Sequence, residues 1–268
     1  MNIVQYVIVD AFSSEAFGGN PAAVCLQSGV LSDSHMQNVA AEFNLSETAY
    51  AARRDDGRWD LRWFTPAIEV NLCGHATLAT AHALWNEWSI EEDCLRFVTR
   101  SGELTATRRN GVISLVFPIT MTKDYAEQSS AYRGFAKLIG SSPVAVSQAG
   151  EDCLVQLNSA EAVRVFKPDL RGLAQLPVRG LIVTAAGDDC DFVSRFFAPG
   201  AGIDEDPVTG SAHCALAHFW SPRLQRRTFT AKQLSARGGE LQVAIEDGDA
   251  TVTLRGQAVS SMRGELLV

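Results

Sequence analysis

Gly74-His-Ala-Thr-Leu-Ala-Thr-Ala-His-Ala-Leu-Trp85 and Gly210-Ser-Ala-His-Cys-Ala-Leu-Ala-His-Phe-Trp220 decide the fold of this 268-residue chain, because each is a version of the other. Aligned on their first glycines, Ala76 and Ala212, Ala79 and Ala215, Ala81 and Ala217, and His82 and His218 coincide. The offset is close to half the chain. Two Ala-rich helices can match by chance, but here the flanks match too. Phe64-Thr-Pro66 echoes Phe197-Ala-Pro199, and Glu69 and Glu205 each lie five residues before their glycine. Duplication explains all of this at once.

Each copy reads as strand, glycine turn, then helix, over about residues 75–88 and 211–220. Alanine is the strongest helix former. Neither segment has a wide polar face, so both helices are expected to be buried. Pro222 is expected to close the second, since proline cannot continue a helix.

Outward from the helices the chain reads as many short strands. In the first half these are Tyr6–Phe12, Val24–Leu26, Thr48–Ala52, Trp59–Phe64, Cys94–Thr99, Leu104–Arg108 and Val112–Phe117, by alternation or β-branched content. Asp33–Phe43 reads as a helix introduced by Ser32 as N-cap. The second half repeats the style with Cys153–Leu157, Val163–Phe166, Leu181–Thr184, Phe192–Phe197, Leu241–Ile245 and Thr251–Arg255. The fold class is therefore α+β: two pseudo-symmetric lobes, each a barrel-like, mostly antiparallel sheet around a central helix. The lobes are placed at 1–118 and 119–268, with the last strand able to return to the first lobe.

A helix N-terminus carries unpaired N–H groups and a partial positive charge, which make it an anion site. Gly74-His75-Ala76 and Gly210-Ser211-Ala212 would supply two, facing each other if a pseudo-twofold axis relates the halves. A small carboxylate, or the charge developing on an enolate during proton abstraction, suits such a pair.

Four segments make the pattern specific: Val9-Asp-Ala-Phe-Ser-Ser-Glu-Ala-Phe-Gly-Gly-Asn-Pro-Ala-Ala-Val24, Asn44-Leu-Ser-Glu-Thr-Ala49, Leu61-Arg-Trp-Phe-Thr-Pro66 through Cys73-Gly-His-Ala-Thr77, and Asp204-Glu-Asp-Pro-Val-Thr-Gly-Ser-Ala212. With these the sequence resembles the PhzF-like proteins, named for the isomerase of phenazine biosynthesis. The resemblance implies the two-lobed fold of diaminopimelate epimerase and proline racemase, a homodimer, no cofactor, and a site between the lobes. It matches Glu47 to the family's catalytic glutamate, and His75 and Asp206 to the two other polar groups of the site. Gly74, Gly210 and Ser211 become donors to the substrate's anionic group, and Asn20 borders the pocket.

The residues agree with those roles. Glu47 opens an otherwise apolar strand, where a carboxylate partly withdrawn from water can take and return a proton. His75 stands on a first helical turn, able to donate or to shuttle a proton. Asp206 precedes Pro207, which holds it extended and aims it at a substrate amine or hydroxyl. Cys73 complicates the picture. In the resembling racemases a cysteine precedes each of the paired glycines; here the counterpart of Cys73 is Thr209, so two-thiol chemistry is disfavoured.

Composition removes other classes. The formal net charge is -8, and the 19 Arg and 4 Lys are scattered, which argues against a nucleic-acid partner. Six cysteines form no C-x-x-C, so neither a zinc site nor a disulfide framework is expected. No dinucleotide, P-loop or serine-hydrolase signature is present. His82 and His218 read as satisfied histidines, not metal ligands. No stretch approaches the ~18 apolar residues of a membrane span, and the N-terminal residues lack signal-peptide features, so a cytoplasmic protein is expected. The resulting expectation is a cofactor-independent isomerase moving a proton on a small carboxylate-bearing metabolite. A thiol-type epimerase and a non-catalytic binder on the same scaffold are the alternatives.

Overall fold

The computed structural model describes residues 3–27, 31–140, 142–246 and 248–267. The chain divides into two compact units, one running to Phe117 and resuming at Leu254, the other Pro118–Thr253. The architecture is mixed α+β and dominated by strands, as the alternation pattern predicted.

The first unit opens with β1 (Ile3–Ala11) and β2 (Asn20–Gln27), which pair antiparallel. Helix α1 (Asp33–Phe43) crosses to β3 (Glu47–Arg53), which lies parallel to β2. Ser32 caps α1 as expected, its hydroxyl accepting the His35 N–H at 3.3 Å. Met36, Val39 and Ala40 form the buried stripe of that helix, the three-and-four spacing that one helical face requires. Strands β4 (Trp59–Phe64) and β5 (Glu69–Val70) make a hairpin, and helix α2 (Gly74–Asn86) leads to β6 (Cys94–Thr99), parallel to β4. β7 (Gly102–Arg109) and β8 (Val112–Pro118) follow antiparallel.

The second unit repeats that course. After β9 (Thr122–Asp124) and α3 (Ser130–Ile139), β10 (Ala145–Ala149) and β11 (Asp152–Gln156) pair antiparallel. Helices α4 (Ala160–Val165) and α5 (Leu170–Leu173) cross to β12 (Leu181–Ala186), parallel to β11. Strands β13 (Phe192–Ala198) and β14 (Ile203–Asp206) form the matching hairpin; helix α6 (Gly210–Leu224) leads to β15 (Thr228–Gln233), parallel to β13. β16 (Gly239–Ile245) pairs antiparallel with β15, and β17 is Thr251–Gly256. The C-terminal strand β18 (Ala258–Leu267) pairs antiparallel with β1 and belongs to the first unit.

The duplication extends to side chains. Arg62 grips Glu69 with Nε and Nη2, both at 2.7 Å, across the β4–β5 hairpin. Arg195 grips Glu205 with the same two nitrogens at 2.7 and 2.9 Å across β13–β14. Each guanidinium lies over the ring of the phenylalanine two residues on, at 5.1 Å for Phe64 and 4.8 Å for Phe197. The two glutamates singled out by their spacing thus do one job twice: they tie the hairpin that delivers the chain to the central helix.

Both helices are buried as their composition requires. Ten of the 13 residues of α2 are buried, and it packs against β1, β2, β3 and β18. Thr77 and Thr80 satisfy their hydroxyls inside it by donating to Cys73 O at 2.5 Å and Ala76 O at 2.7 Å. Two expectations fail. Val163–Phe166 is not a strand but part of α4 and its C-cap, because Ser159 caps a helix there by accepting Ala162 N–H at 3.1 Å. Four apolar residues are too short a run for period to separate helix from strand. Pro222 does not stop α6, which runs on to Leu224. A proline this near the end removes a single hydrogen bond, and the left-handed cap at Gln225, whose N–H donates to Ser221 O, closes the helix instead.

Candidate active site

In the first unit the parallel register of β2 and β3 sets Ala22 against Glu47, so Asn20 and Glu47 stand at the same end of neighbouring strands. The N-terminus of α2 brings His75 to that end. Glu47 Oε2 lies 3.2 Å from His75 Nε2, with the two side chains 13% and 5% exposed. Neither atom has an aligned hydrogen bond; the pair is held by charge and position. On the other edge of the ring, Asn20 Nδ2 is 3.2 Å from Nδ1 and Cys73 Sγ is 3.5 Å from it. Asn20 is fully buried.

The electrostatics follow from that packing. Burial disfavours an imidazolium at His75, and so does its place on a first helical turn, where the dipole is positive. Against these act Cys73 first and then the Glu47 carboxylate, and together they hold His75 well above the ordinary histidine value. Burial, aided by the charge of Glu47, pushes the Cys73 thiol up to about 11. Cys73 is therefore held toward its neutral thiol form. No side chain caps α2, since Cys73 at the cap position makes no such bond. A helix start without a side-chain cap is a place where an anion can be held.

Glu47, Cys73 and His75 also form the one group of three metal-capable side chains among the described residues, their ligand atoms within 4.8 Å of one another. His82 and His218 are satisfied, as expected: His82 Nε2 lies 3.2 Å from Ser260 Oγ, and His218 Nδ1 accepts Thr122 N–H at 3.0 Å.

Asp206, Gly210 and Ser211 belong to the second unit. Asp206 is 8% exposed and accepts Thr209 Oγ1–H at 2.6 Å. The turn that follows is pinned by Gln233, which sequence inspection missed: its Nε2 donates to Asp206 O at 2.7 Å and its Oε1 accepts Thr209 N–H at 2.9 Å. Ser235 adds a bond to Pro207 O at 2.8 Å. Thr209 provides no side-chain cap to α6, so this helix start is open like that of α2. Ser211 Oγ accepts from Arg179 Nη2 at 3.0 Å, a partner that no motif had marked.

A family model described as phenazine biosynthesis-like protein (PhzC-PhzF) matches residues 9–264. The chain belongs to this family. It is 47% identical to an uncharacterized isomerase of Pseudomonas aeruginosa over 98% of both chains. A crystal structure of a PhzF-family protein from Enterococcus faecalis superposes with a TM-score of 0.93 at 40% identity, covering 100% of both. A hydroxyproline epimerase from Agrobacterium vitis, 11% identical, shares the fold at a TM-score of 0.64 over 98% of this chain and 92% of that one. The PhzF-like protein is thus an enzyme of the isomerase type on a diaminopimelate-epimerase-like fold. Among the described residues no helix is long and apolar enough to cross a membrane.

Proposed function

We propose that this PhzF-like enzyme shifts a proton on a small carboxylate-bearing metabolite, without a cofactor, using Glu47 as the single acid/base. The observation that carries this is the buried Glu47–His75 contact at 3.2 Å, in which the carboxylate oxygen is not committed to an aligned hydrogen bond. Such an oxygen is available to a carbon acid in a way that an Arg-paired carboxylate is not.

The step balances within substrate and protein. The Glu47 carboxylate takes a proton from an sp3 carbon; the freed pair forms a new double bond as the neighbouring double bond moves one place along. Protonated Glu47 then returns the proton at the far carbon. His75, holding its own proton, and the open first turn of α2 stabilise the negative charge that develops between the two transfers. We assign Asp206, Ser211 and the amide of Gly210 to orienting the substrate's polar groups, and Asn20 to the edge of the ring pocket beside His75. A thiol-type epimerase is less well supported, because Cys73 is a neutral buried thiol and its counterpart is Thr209. A homodimer in the cytoplasm completes the proposal; sedimentation equilibrium tests the first part.

The test is proton exchange in deuterated water over a panel of small amino and unsaturated acids, followed by NMR. Label that appears with the wild type and is lost with Glu47→Gln is the expected result. Label untouched by that variant would remove Glu47 from the role and turn attention to Cys73.

A further inference from the structure

The two copies of the duplicated helix start differ in one chemical respect: only the first carries soft donors. Cys73 and His75 stand where the second copy has Thr209 and Ser211. With Glu47 they bring a thiol, an imidazole and a carboxylate together, their ligand atoms within 4.8 Å of one another. All three are withdrawn from water, Cys73 and His75 as buried residues and Glu47 with its side chain 13% exposed. Glu47 Oε2 and His75 Nε2 are both buried without a hydrogen-bond partner, so each has a position to fill.

The spacing suits an ion. Around a tetrahedral zinc, nitrogen, oxygen and sulfur ligands stand about 3.3–3.6 Å apart. Glu47 Oε2 and His75 Nε2 are already 3.2 Å apart. With the three ligand atoms inside 4.8 Å, a shift of about 1 Å, small for the one-bond side chain of cysteine, completes the set. The ring is also oriented as a ligand is. Nε2 faces Glu47 while Nδ1 faces Asn20, 3.2 Å away, so one nitrogen is offered to an ion and the other keeps an outer partner. A thiol with an imidazole selects a soft or borderline ion such as zinc or cobalt over magnesium and calcium, which prefer oxygen ligands.

We propose that Glu47, Cys73 and His75 bind one zinc-type ion per chain, and that the ion inhibits the enzyme by occupying its base. On binding, bonds from the ion to oxygen, nitrogen and sulfur replace bonds to water, the thiol proton and the imidazolium proton leave to solvent, and no electron changes hands. The inhibition rests on the reading of Glu47 as the base; the ion site itself does not.

Cobalt(II) is the probe, because it takes the place of zinc and a thiolate bond to it gives a charge-transfer band in the near ultraviolet. The full chain, titrated with cobalt chloride in chelator-treated buffer, is expected to develop this band to saturation at one ion per chain. Zinc chloride should erase it, and a large excess of magnesium chloride should leave it in place. Cys73→Ser should lose the band while keeping the circular dichroism of the wild type, with Cys73→Ala measured beside it as a second fold-conserving variant. Asn20→Ala should weaken cobalt about tenfold or more by loosening the ring. No band, a band displaced by magnesium, or a band that survives in the Cys73 variants, which would place the ion at the exposed Cys94 or the half-buried Cys190, would each overturn the site. In the exchange assay zinc should suppress label with the midpoint at which it displaces cobalt, and a chelator should restore it; exchange that continues on the zinc-loaded protein would overturn the inhibition. The cobalt band involves no turnover, so the two readings fail separately. Exchange that survives Glu47→Gln removes the base, and with it the reason for inhibition, but spares the ion site; absence of the band does the reverse.

Discussion

Replacing Glu47 by Gln is expected to strip the proton from His75 at neutral pH, and the size of the effect follows from the geometry. The carboxylate oxygen and the ring nitrogen are 3.2 Å apart. At an effective dielectric of ~20, two unit charges at that separation attract by about 5 kcal/mol. Even half of this, at ~1.4 kcal/mol per tenfold change in proton affinity, moves the ring's midpoint by about two pH. With the carboxylate gone, burial and the helix dipole act unopposed, and both favour the neutral ring. His75 should therefore titrate well above 6.5 in the wild type and below it in the variant. Long-range 1H–15N spectra of the imidazoles between pH 4 and 10 read this directly, with the His75 signals identified by their loss in His75→Gln. Cys73→Ser serves as the comparison: the thiol, pushed up to about 11, is neutral where the ring matters, so this variant should leave the midpoint near that of the wild type. If Glu47→Gln changes nothing and Cys73→Ser lowers the midpoint, the ring's partner is a thiolate. The argument for Glu47 as the working anion then collapses.

Two further outcomes follow from the pairs and rings outside that site. Arg195→Met should cost about 2–3 kcal/mol in chemical denaturation, since besides Glu205 the guanidinium serves the carbonyls of Val163, Arg164 and Phe166 at the end of α4. Arg62→Met should cost less, because Glu69 keeps its contact with Arg100 at 2.6 Å; equal losses would show that the carbonyls contribute nothing. His213 is fully buried, its Nδ1 2.8 Å from Thr209 O, and burial depresses it to about 4. The unfolded ring takes up a proton near ~6.5 while the folded one resists, so this residue removes about 3 kcal/mol of stability as pH falls from 7 to 4 and nothing above 7. The stability difference between His213→Leu and the wild type should shift in the variant's favour across that interval; a difference independent of pH would refute it.

What the sequence determined by itself is whatever is local or repeated. Alanine-rich, small-faced segments announced two buried helices, and their matched flanks announced a duplicated α+β unit. Ser32 announced the start of α1, and the period of Trp59–Phe64 and Cys94–Thr99 marked strands with their ends in place. Glu47 and His75 were legible as candidates through the resemblance to the PhzF-like proteins, with their places at the start of an element in agreement. Signals fail where the deciding partner is distant in sequence or where the run is short. Val163–Phe166 has strand-like residues but a helix cap before it. β15, with Ala231, Lys232 and Gln233, carries too little β-branched content to stand out, yet Gln233 holds the turn after Asp206. Arg179 belongs to no pattern at all: its partners Asp152 and Ser211 lie 27 and 32 residues away along the chain. Only tertiary packing decided that Glu47 and His75 share a charge and that Arg179 stands at the start of α6. Coulomb and hydrogen-bond energies depend on separations of a few ångströms in space, and the sequence records only distance along the chain.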